Sequence, residues 1–581
     1  MNATETHAAY QSDKSMPGLT ARESRPWAAW TALVLTLLVA GPLFVCLPLT
    51  NDAEYYDLQA TNVLQGGVLY RDILEPNLPG VVWLHMLVRT VGGFRSEVLR
   101  IADLAIWGAA MALLYSWFKA GGVRPALAAW TVAGCVWCYV SQTEWVHCQR
   151  DGWLLPWAIG GVWLRQRQIA RMLSDSATAR SIAAWAFLEG TIWACGFWIK
   201  PYIAIPGFAA WLLAALLVRK PGRVLTDLVG LLVGGGIVGL AGIAWLASTG
   251  AWEPFWSTVR EWNPLYFQAG REHWRLVRLF GAAFRLAPWS LLVLPAFVPA
   301  ALWLTAPFRD RDGSPSHAAK RHLHALLAAI WLGWLAQSLW LQHQFDYVYL
   351  PVVVLSFVMV ALWVGDWPAW PMRMPASMVF LALALIGSPV LRPERLAVWS
   401  RCWSEGSSTA VRQRLALVHN PHWEDLRRAE QFLREHGVHD RNVLCYHNSL
   451  VYLYRDLELL PPTRYVYLES HLAFFRDRRR SILEEVRAAG ADYVVTDLLS
   501  TGLPAGQARL PGRHKDDSFP PPFPDAARRQ YPWNLPVVFR AGSILIHRAA
   551  PAAAGLASNG DQHVTVPTAG QPADPSQGTR R

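Results

Sequence analysis

Asp52, Glu54 and Asp57 stand in the run Asn51-Asp52-Ala53-Glu54-Tyr55-Tyr56-Asp57, directly after the first long apolar segment of the chain. Carboxylates at a membrane boundary are costly to keep charged, so their pKa values rise toward the range of a general base. A second polar group follows a later apolar run: Gln142, Glu144, His147, Gln149, Arg150 and Asp151. Lys200-Pro201-Tyr202 forms a third, in a near-zero-length turn between two apolar runs. The fourth is His343-Gln344-Phe345-Asp346-Tyr347-Val348-Tyr349-Leu350-Pro351. An acid that takes a proton from an alcohol, beside a cation that steadies a leaving phosphate, makes a group-transfer site. At lipid depth one substrate would arrive within the lipid. Together these parts suit sugar transfer from a polyprenyl-phosphate carrier to an acceptor hydroxyl, by analogy with inverting glycosidases.

The elements that must hold these groups are membrane helices. The chain has 581 residues, 53% hydrophobic and only 16% charged, against roughly 25% charged in a soluble domain. About 20 apolar residues span a bilayer as a helix. Eleven runs qualify as candidates: 28–49, 98–118, 125–140, 152–164, 181–199, 201–218, 225–249, 286–306, 322–341, 347–365 and 375–391. The expected fold is therefore a polytopic α-helical membrane protein of about 11 transmembrane helices, with an extracytoplasmic α/β domain at the C-terminal end.

Loop charge sets the orientation. Arg165, Arg167, Arg171 and Arg180 form one basic loop; Arg219, Lys220 and Arg223 a second; Arg309, Arg311, Lys320 and Arg321 a third. The positive-inside rule puts these in the cytoplasm with the N-terminal tail, residues 1–27. All four polar groups then fall on the outer face of a plasma (inner) membrane. The residues before Trp27 are polar and no A-x-A site follows, so the first span reads as an uncleaved anchor. The net charge of +11 reflects topology, and no basic stripe with interleaved aromatics points to nucleic acid.

The transmembrane unit covers 28–391, with a long first outer loop at 50–97 in which 58–64 reads as a short interfacial helix. Residues 392–550 read as the α/β domain. His422–Gly437 and Arg478–Gly490 are its helices, Asn442–Tyr446 and Asp492–Thr496 its strands, and 536–547 a hairpin. Their alternation suggests a parallel core. Residues 551–581 are Ala/Pro/Gly-rich and read as a disordered tail. Seven cysteines form no framework, although a Cys402–Cys445 bridge is open in an oxidising space.

The first 390 residues resemble the multi-spanning GT-C class of glycosyltransferases, in particular the bacterial family 39 and aminoarabinose-transferase-like proteins. The resemblance rests on Asp52-Ala53-Glu54-Tyr55-Tyr56, Leu64-Gln65-Gly66-Gly67, Leu69-Tyr70-Arg71-Asp72 and Pro76/Pro79. It implies that Asp52 is the catalytic base, and it places family acids at Glu144 or Asp151 and a family lysine at Lys200. The chain departs from the pattern in three places, the first being Asp346, which stands where a histidine is common. Ala53 splits the acidic pair, and Glu75-Pro76 stands where a Lys-Pro-Pro segment is usual in the aminoarabinose group.

The expected roles follow. Asp52 is the base. Glu54, Glu144, Asp151, Tyr55 and Tyr347 bind substrate. Lys200, Arg150 and Arg71 compete for the carrier phosphate. Partners are the polyprenyl-phosphate-linked sugar donor, a glycan, lipid or protein acceptor, and membrane lipids. No cofactor or dedicated metal site is expected, with a divalent cation on lone acids such as Asp52 left open. A polytopic transporter or lipid flippase is the alternative, but the charges gather at one interface and no repeat is visible.

Overall fold

The structure, a computed structural model, describes residues 26–272, 281, 283–284, 286–309, 315–341, 345–367, 370–416, 421–512 and 517–549. The expected cytoplasmic tail up to residue 25, the tail from 551, His343-Gln344 and Arg311 lie outside the described residues. The chain opens with α1 (Trp27–Cys46), α2 (Asn51–Leu64), α3 (Gly80–Gly92), α4 (Ser96–Ala120) and α5 (Pro125–Val140). It continues through the short α6 (Arg150–Trp153) into α7 (Leu155–Leu173), α8 (Ala179–Ile199), α9 (Ala204–Val218) and α10 (Pro221–Ser248). Longer helices after these are Val293–Arg309, Pro315–Trp340, Leu350–Gly365 and Trp370–Ile386.

Among the described residues eight helical segments are long and apolar enough to cross a membrane. They take in eight of the eleven expected runs. Of the other three, Pro125–Val140 and Ser377–Ile386 are shorter apolar helices. The third, 152–164, enters α7, whose second half carries Arg165, Gln166 and Gln168, all buried. Arg165 is therefore not in a basic loop. Its guanidinium pairs with Glu189 of α8 at 2.9 Å and Asp227 of α10 at 2.7 Å, all three side chains being at most 1% exposed. Gln168 donates to Asp227 at 2.9 Å. A charge can stay in a helix interior at this depth only when paired and hydrogen-bonded, and here the partners sit on two other helices.

Small residues let α8 and α10 approach closely. A Cβ at Gly234 would lie 2.0 Å from the Phe187 carbonyl oxygen, and one at Gly190 would lie 2.1 Å from that of Leu231. Gly230 and Gly234 are four apart, the spacing that brings membrane helices into backbone contact.

The stretch 50–97, expected as a long outer loop, is largely helical. Two helices, α2 and α3, replace the single interfacial helix expected at 58–64. Thr50 caps α2 by accepting from the Ala53 amide, and Asp52 and Glu54 lie in the first turn, where the helix dipole favours negative charge. Asp57 ties α2 to α3: its two oxygens each accept from Arg89 at 2.6 Å, and His85 Nδ1 lies 3.1 Å away.

The C-terminal unit carries helices Trp423–Glu435 and Arg479–Ala488 and strands β1 (Val443–Cys445), β2 (Tyr493–Asp497), β3 (Val537–Ala541) and β4 (Ile544–Arg548). The sheet order is β1-β2-β4-β3. Only β1 and β2 run parallel; β4 is antiparallel to both β2 and β3, so the expected parallel core is a mixed sheet. The hairpin places its second strand in the centre, where Ile544–His547 are buried. All seven cysteines are free. The open Cys402–Cys445 bridge does not form, because Cys445 is buried in β1 while Cys402 packs on α1, with the Cys46 thiol 3.6 Å from its carbonyl oxygen.

Candidate functional site

The geometry of α2 decides which of its acids can act together. Residues two apart on a helix point about 200° apart, whereas residues three and four apart share a face. Asp52 therefore lies with Tyr55 and Tyr56, and Glu54 faces elsewhere. The Asp52 carboxylate accepts from Gln149 Nε2 at 3.4 Å. Tyr55 donates its hydroxyl to the Leu74 carbonyl and stacks its ring on Tyr467, centroids 4.3 Å apart at 18°. Burial pushes the Asp52 carboxyl above the usual carboxylate range, with the Arg150 charge and the Gln149 hydrogen bond working against it.

Arg150 opens α6 and is 7% exposed. Its guanidinium lies over the Tyr56 ring, 5.5 Å from the centroid, where its charge acts on both Asp52 and Glu75. Its neighbour Asp151 receives Lys200 Nζ at 2.6 Å, an ion pair almost closed to solvent. Lys200 is held there by the junction between α8 and the turn Pro201–Ile203, which leaves no length for it to reach water. The second Asp151 oxygen is buried without a hydrogen-bond partner.

Beside these groups lies a cavity of about 190 Å³. Its polar wall includes Arg150, Lys200, Glu75, Tyr347 and Tyr266, and its apolar wall includes Phe255, Phe267 and Trp340. Such a lining suits a ligand with an anionic head and an apolar body.

The structure thus brings together Asp52, Tyr55, Tyr347, Arg150, Asp151 and Lys200 from four separate stretches of chain. Three expected residues stand elsewhere. Glu54 is buried on the opposite side of α2 and pairs with Arg455 of the C-terminal unit; burial pushes it up to about 7, against the pull of Arg455. Glu144 is buried with Arg395 at 3.7 Å and does not line the cavity. Arg71 is exposed and spends its guanidinium on Asp72 at 2.7 Å, so it is not brought to the cavity either. The side chain of Asp346 lies outside the described residues.

Two residues at the site were not among the expected ones. Glu75 is fully buried, takes Gln59 Nε2 at 2.7 Å and the Asn77 amide at 2.8 Å, and is pushed up by burial against the charge of Arg150. An acid beside Pro76 in an otherwise apolar stretch was its only signal. Tyr467 comes from the C-terminal unit, more than 400 residues from Asp52, and no local pattern marks it.

The C-terminal unit is fastened to the start of α2. Tyr452 donates its hydroxyl to the Leu49 carbonyl and the Asn51 side chain, both at 2.8 Å. Arg455 pairs with Glu54, and the Leu74 amide donates to the Arg464 carbonyl at 2.9 Å. Trp262 is buried against Phe475 at 4.8 Å with Arg478 over its ring.

No family model matches the chain, and no curated protein matches it. Among solved structures, it is similar to the oligosaccharyltransferase of Archaeoglobus fulgidus in its apo form, at 13% identity and a TM-score of 0.42, over 82% of this chain and 70% of that one. It is similar also to the same enzyme tethered with an acceptor peptide containing the NVT sequon, at 13% identity and a TM-score of 0.41, with the same coverage of 82% and 70%. Likeness at that level carries no argument, and the chemistry rests on the geometry of the site itself.

Proposed function

We propose that the chain is an integral-membrane glycosyltransferase of the GT-C class that moves a sugar from a polyprenyl-phosphate-linked donor to an acceptor hydroxyl, with inversion. The observation that carries this reading is the juxtaposition of a half-buried carboxylate, Asp52, with two buried cations, Arg150 and Lys200, that line the half-apolar cavity beside it. In the proposed step Asp52 takes the acceptor's hydroxyl proton as its oxygen bonds to the anomeric carbon. The bond from that carbon to the phosphate oxygen breaks, and its electron pair leaves on the phosphate. Arg150 and Lys200 meet the charge that develops there. A phosphate ester needs little protonation to leave, so no acid partner for Asp52 is required, in contrast to the two carboxylates of a glycosidase. The apolar wall would hold the isoprenoid carrier. The resemblance to family 39 and the aminoarabinose transferases supports the donor class, and in this scheme the acceptor, whether glycan, lipid or protein, offers a free hydroxyl.

The test is Asp52→Asn, which keeps shape and removes the base. Losing a proton-transfer group typically costs 10²–10⁴-fold in rate. Transfer from polyprenyl-phosphate sugars in proteoliposomes is expected to fall by that much with expression unchanged. Undiminished turnover would remove Asp52 as base. Movement of the lipid-linked sugar across the vesicle membrane without transfer would favour a flippase instead.

A further inference from the structure

α8 joins two polar regions. Lys200 follows its C-terminal end at the cavity, and Ser181 lies in its first turn. At 1.5 Å per residue the two stand about 28 Å apart, close to the roughly 30 Å hydrocarbon thickness of a bilayer. Beside Ser181 an open groove of about 620 Å³ runs between α7 and α8, lined also by Arg167, Arg171, Ser174, Ser176 and Trp185. Arg167 and Arg171 are four apart on α7, so two like charges share one face, an arrangement that costs stability when no anion sits between them. The Arg167 guanidinium lies over the Trp163 ring, 4.5 Å from its centroid, and that of Arg171 over the Trp185 ring at 4.3 Å. A guanidinium over a ring face spends none of its N–H donors there. Among the described residues no carboxylate pairs with either arginine, and Arg171 Nη1 is buried without a hydrogen-bond partner.

The adjoining groove, which shares Ala177, shows the contrast. Its cations are spent: Arg219 Nε on the Leu216 carbonyl at 3.1 Å, Lys220 on Asp175 at 3.0 Å, and Arg223 Nη1 on the Met172 and Ser174 carbonyls at 2.6 and 2.7 Å. Arg223 thereby fixes the turn that carries Ser174 and Ser176. Loop charge that merely orients the chain needs no buried, unmatched donor. We infer that the groove of Arg167 and Arg171 binds the phosphate of an anionic phospholipid headgroup, in the leaflet opposite the Asp52 cavity. Two arginine forks and three serine hydroxyls are the donors a phosphate diester takes. Free phosphate shares that chemistry, but the surroundings select the lipid. The groove stands a bilayer's thickness from the cavity, and tryptophan rings such as Trp163 and Trp185 sit at headgroup depth. Ser181, Trp185 and Leu188 follow one face of α8, and Leu188 is 45% exposed, so the face that holds the headgroup continues into apolar surface for acyl chains.

Native mass spectrometry of the full-length protein in detergent tests this, with phosphatidylglycerol, phosphatidylcholine or inorganic phosphate as the probe. Wild type is expected to hold one phosphatidylglycerol about 10-fold more tightly than phosphatidylcholine, and excess inorganic phosphate should not displace it. In Arg167→Gln/Arg171→Gln the phosphatidylglycerol affinity should fall by about 10-fold or more, since each cation near an anionic headgroup contributes several-fold. Lys119→Gln/Arg180→Gln removes the same charge from exposed positions outside the groove and should bind as wild type does. Arg167→Gln alone, at an exposed position, should weaken binding about 5-fold and decides the matter if the double variant does not fold. Undiminished binding in a folded groove variant, an equal loss in the control pair, or no preference for phosphatidylglycerol would overturn the site. Displacement by inorganic phosphate would overturn the lipid as its occupant. None of these readouts needs turnover, and Asp52→Asn should bind lipid as wild type does, so failure here leaves the transfer reaction untouched.

Discussion

A carboxylate held by Gln149 and facing the charge of Arg150 is a tuned group, and its tuning has a sign. Burial raises the Asp52 pKa, and a base works only when ionised. Acidification must therefore silence transfer at a higher pH than the ordinary aspartate value of about 3.9 would give. The pH profile of kcat/KM, taken with a lipid-linked donor, should show one acid limb above that value, and Asp52→Glu should shift it while Asp52→Asn abolishes the activity it describes. A limb at or below the ordinary value would mean that the base is a solvated carboxylate. Asp52 itself was legible from the sequence, because a charged residue immediately after an apolar span is costly there and calls for a reason. Glu54, two positions on, looked equivalent in one dimension. The helix period turns it to the opposite side, where Arg455 takes it. Glu75 and Tyr467 were not legible as site residues, since only tertiary contacts bring Glu75 to the cavity and Tyr467 onto Tyr55.

The elements show the same division between what a run of residues announces and what its neighbours decide. Long apolar stretches announced eleven spans, eight of which fall on helices long and apolar enough to cross a membrane, and the strand and helix limits of the C-terminal unit fall within a few residues of their hydrophobic patterns. The second half of α7 was hidden, because Arg165 among polar neighbours has the composition of a loop. Only Glu189 and Asp227, on α8 and α10, make it a helix interior. Removing one partner of such a buried network typically costs about 3–5 kcal/mol, because the remaining charges stay buried without compensation. Arg165→Leu should therefore lower the thermal unfolding midpoint of the detergent-solubilised protein clearly. Leucine at all three positions should recover most of that loss, as apolar replacements of whole buried ion networks tend to. Equal midpoints for wild type and the single variant would show that the triad does not hold α7, α8 and α10 together.

At the scale of the whole molecule the two ends of the helix bundle differ in chemistry. One end carries Asp52, the polar cavity and the C-terminal unit bound to α2. Arg167 and Arg171 near the end of α7, and Lys220 and Arg223 at the start of α10, stand at the other end, where Lys220 meets Asp175 at 3.0 Å. If loop charge orients the chain, this basic end is cytoplasmic and the cavity faces outward. Reporter positions are available on both sides. The Asp175 side chain is 95% exposed in the turn between α7 and α8, and that of Glu484 is 60% exposed on a helix of the C-terminal unit. The native cysteines give little background, since six of the seven are buried and Cys195 is half-buried. In intact cells a membrane-impermeant maleimide should label Glu484→Cys, and it should label Asp175→Cys only after permeabilisation. The reverse pattern would turn the molecule over. Asp52 would then meet donors and acceptors of the inner leaflet, and the proposed outward-facing transfer would have to be abandoned while the pairing of its base and cations stood.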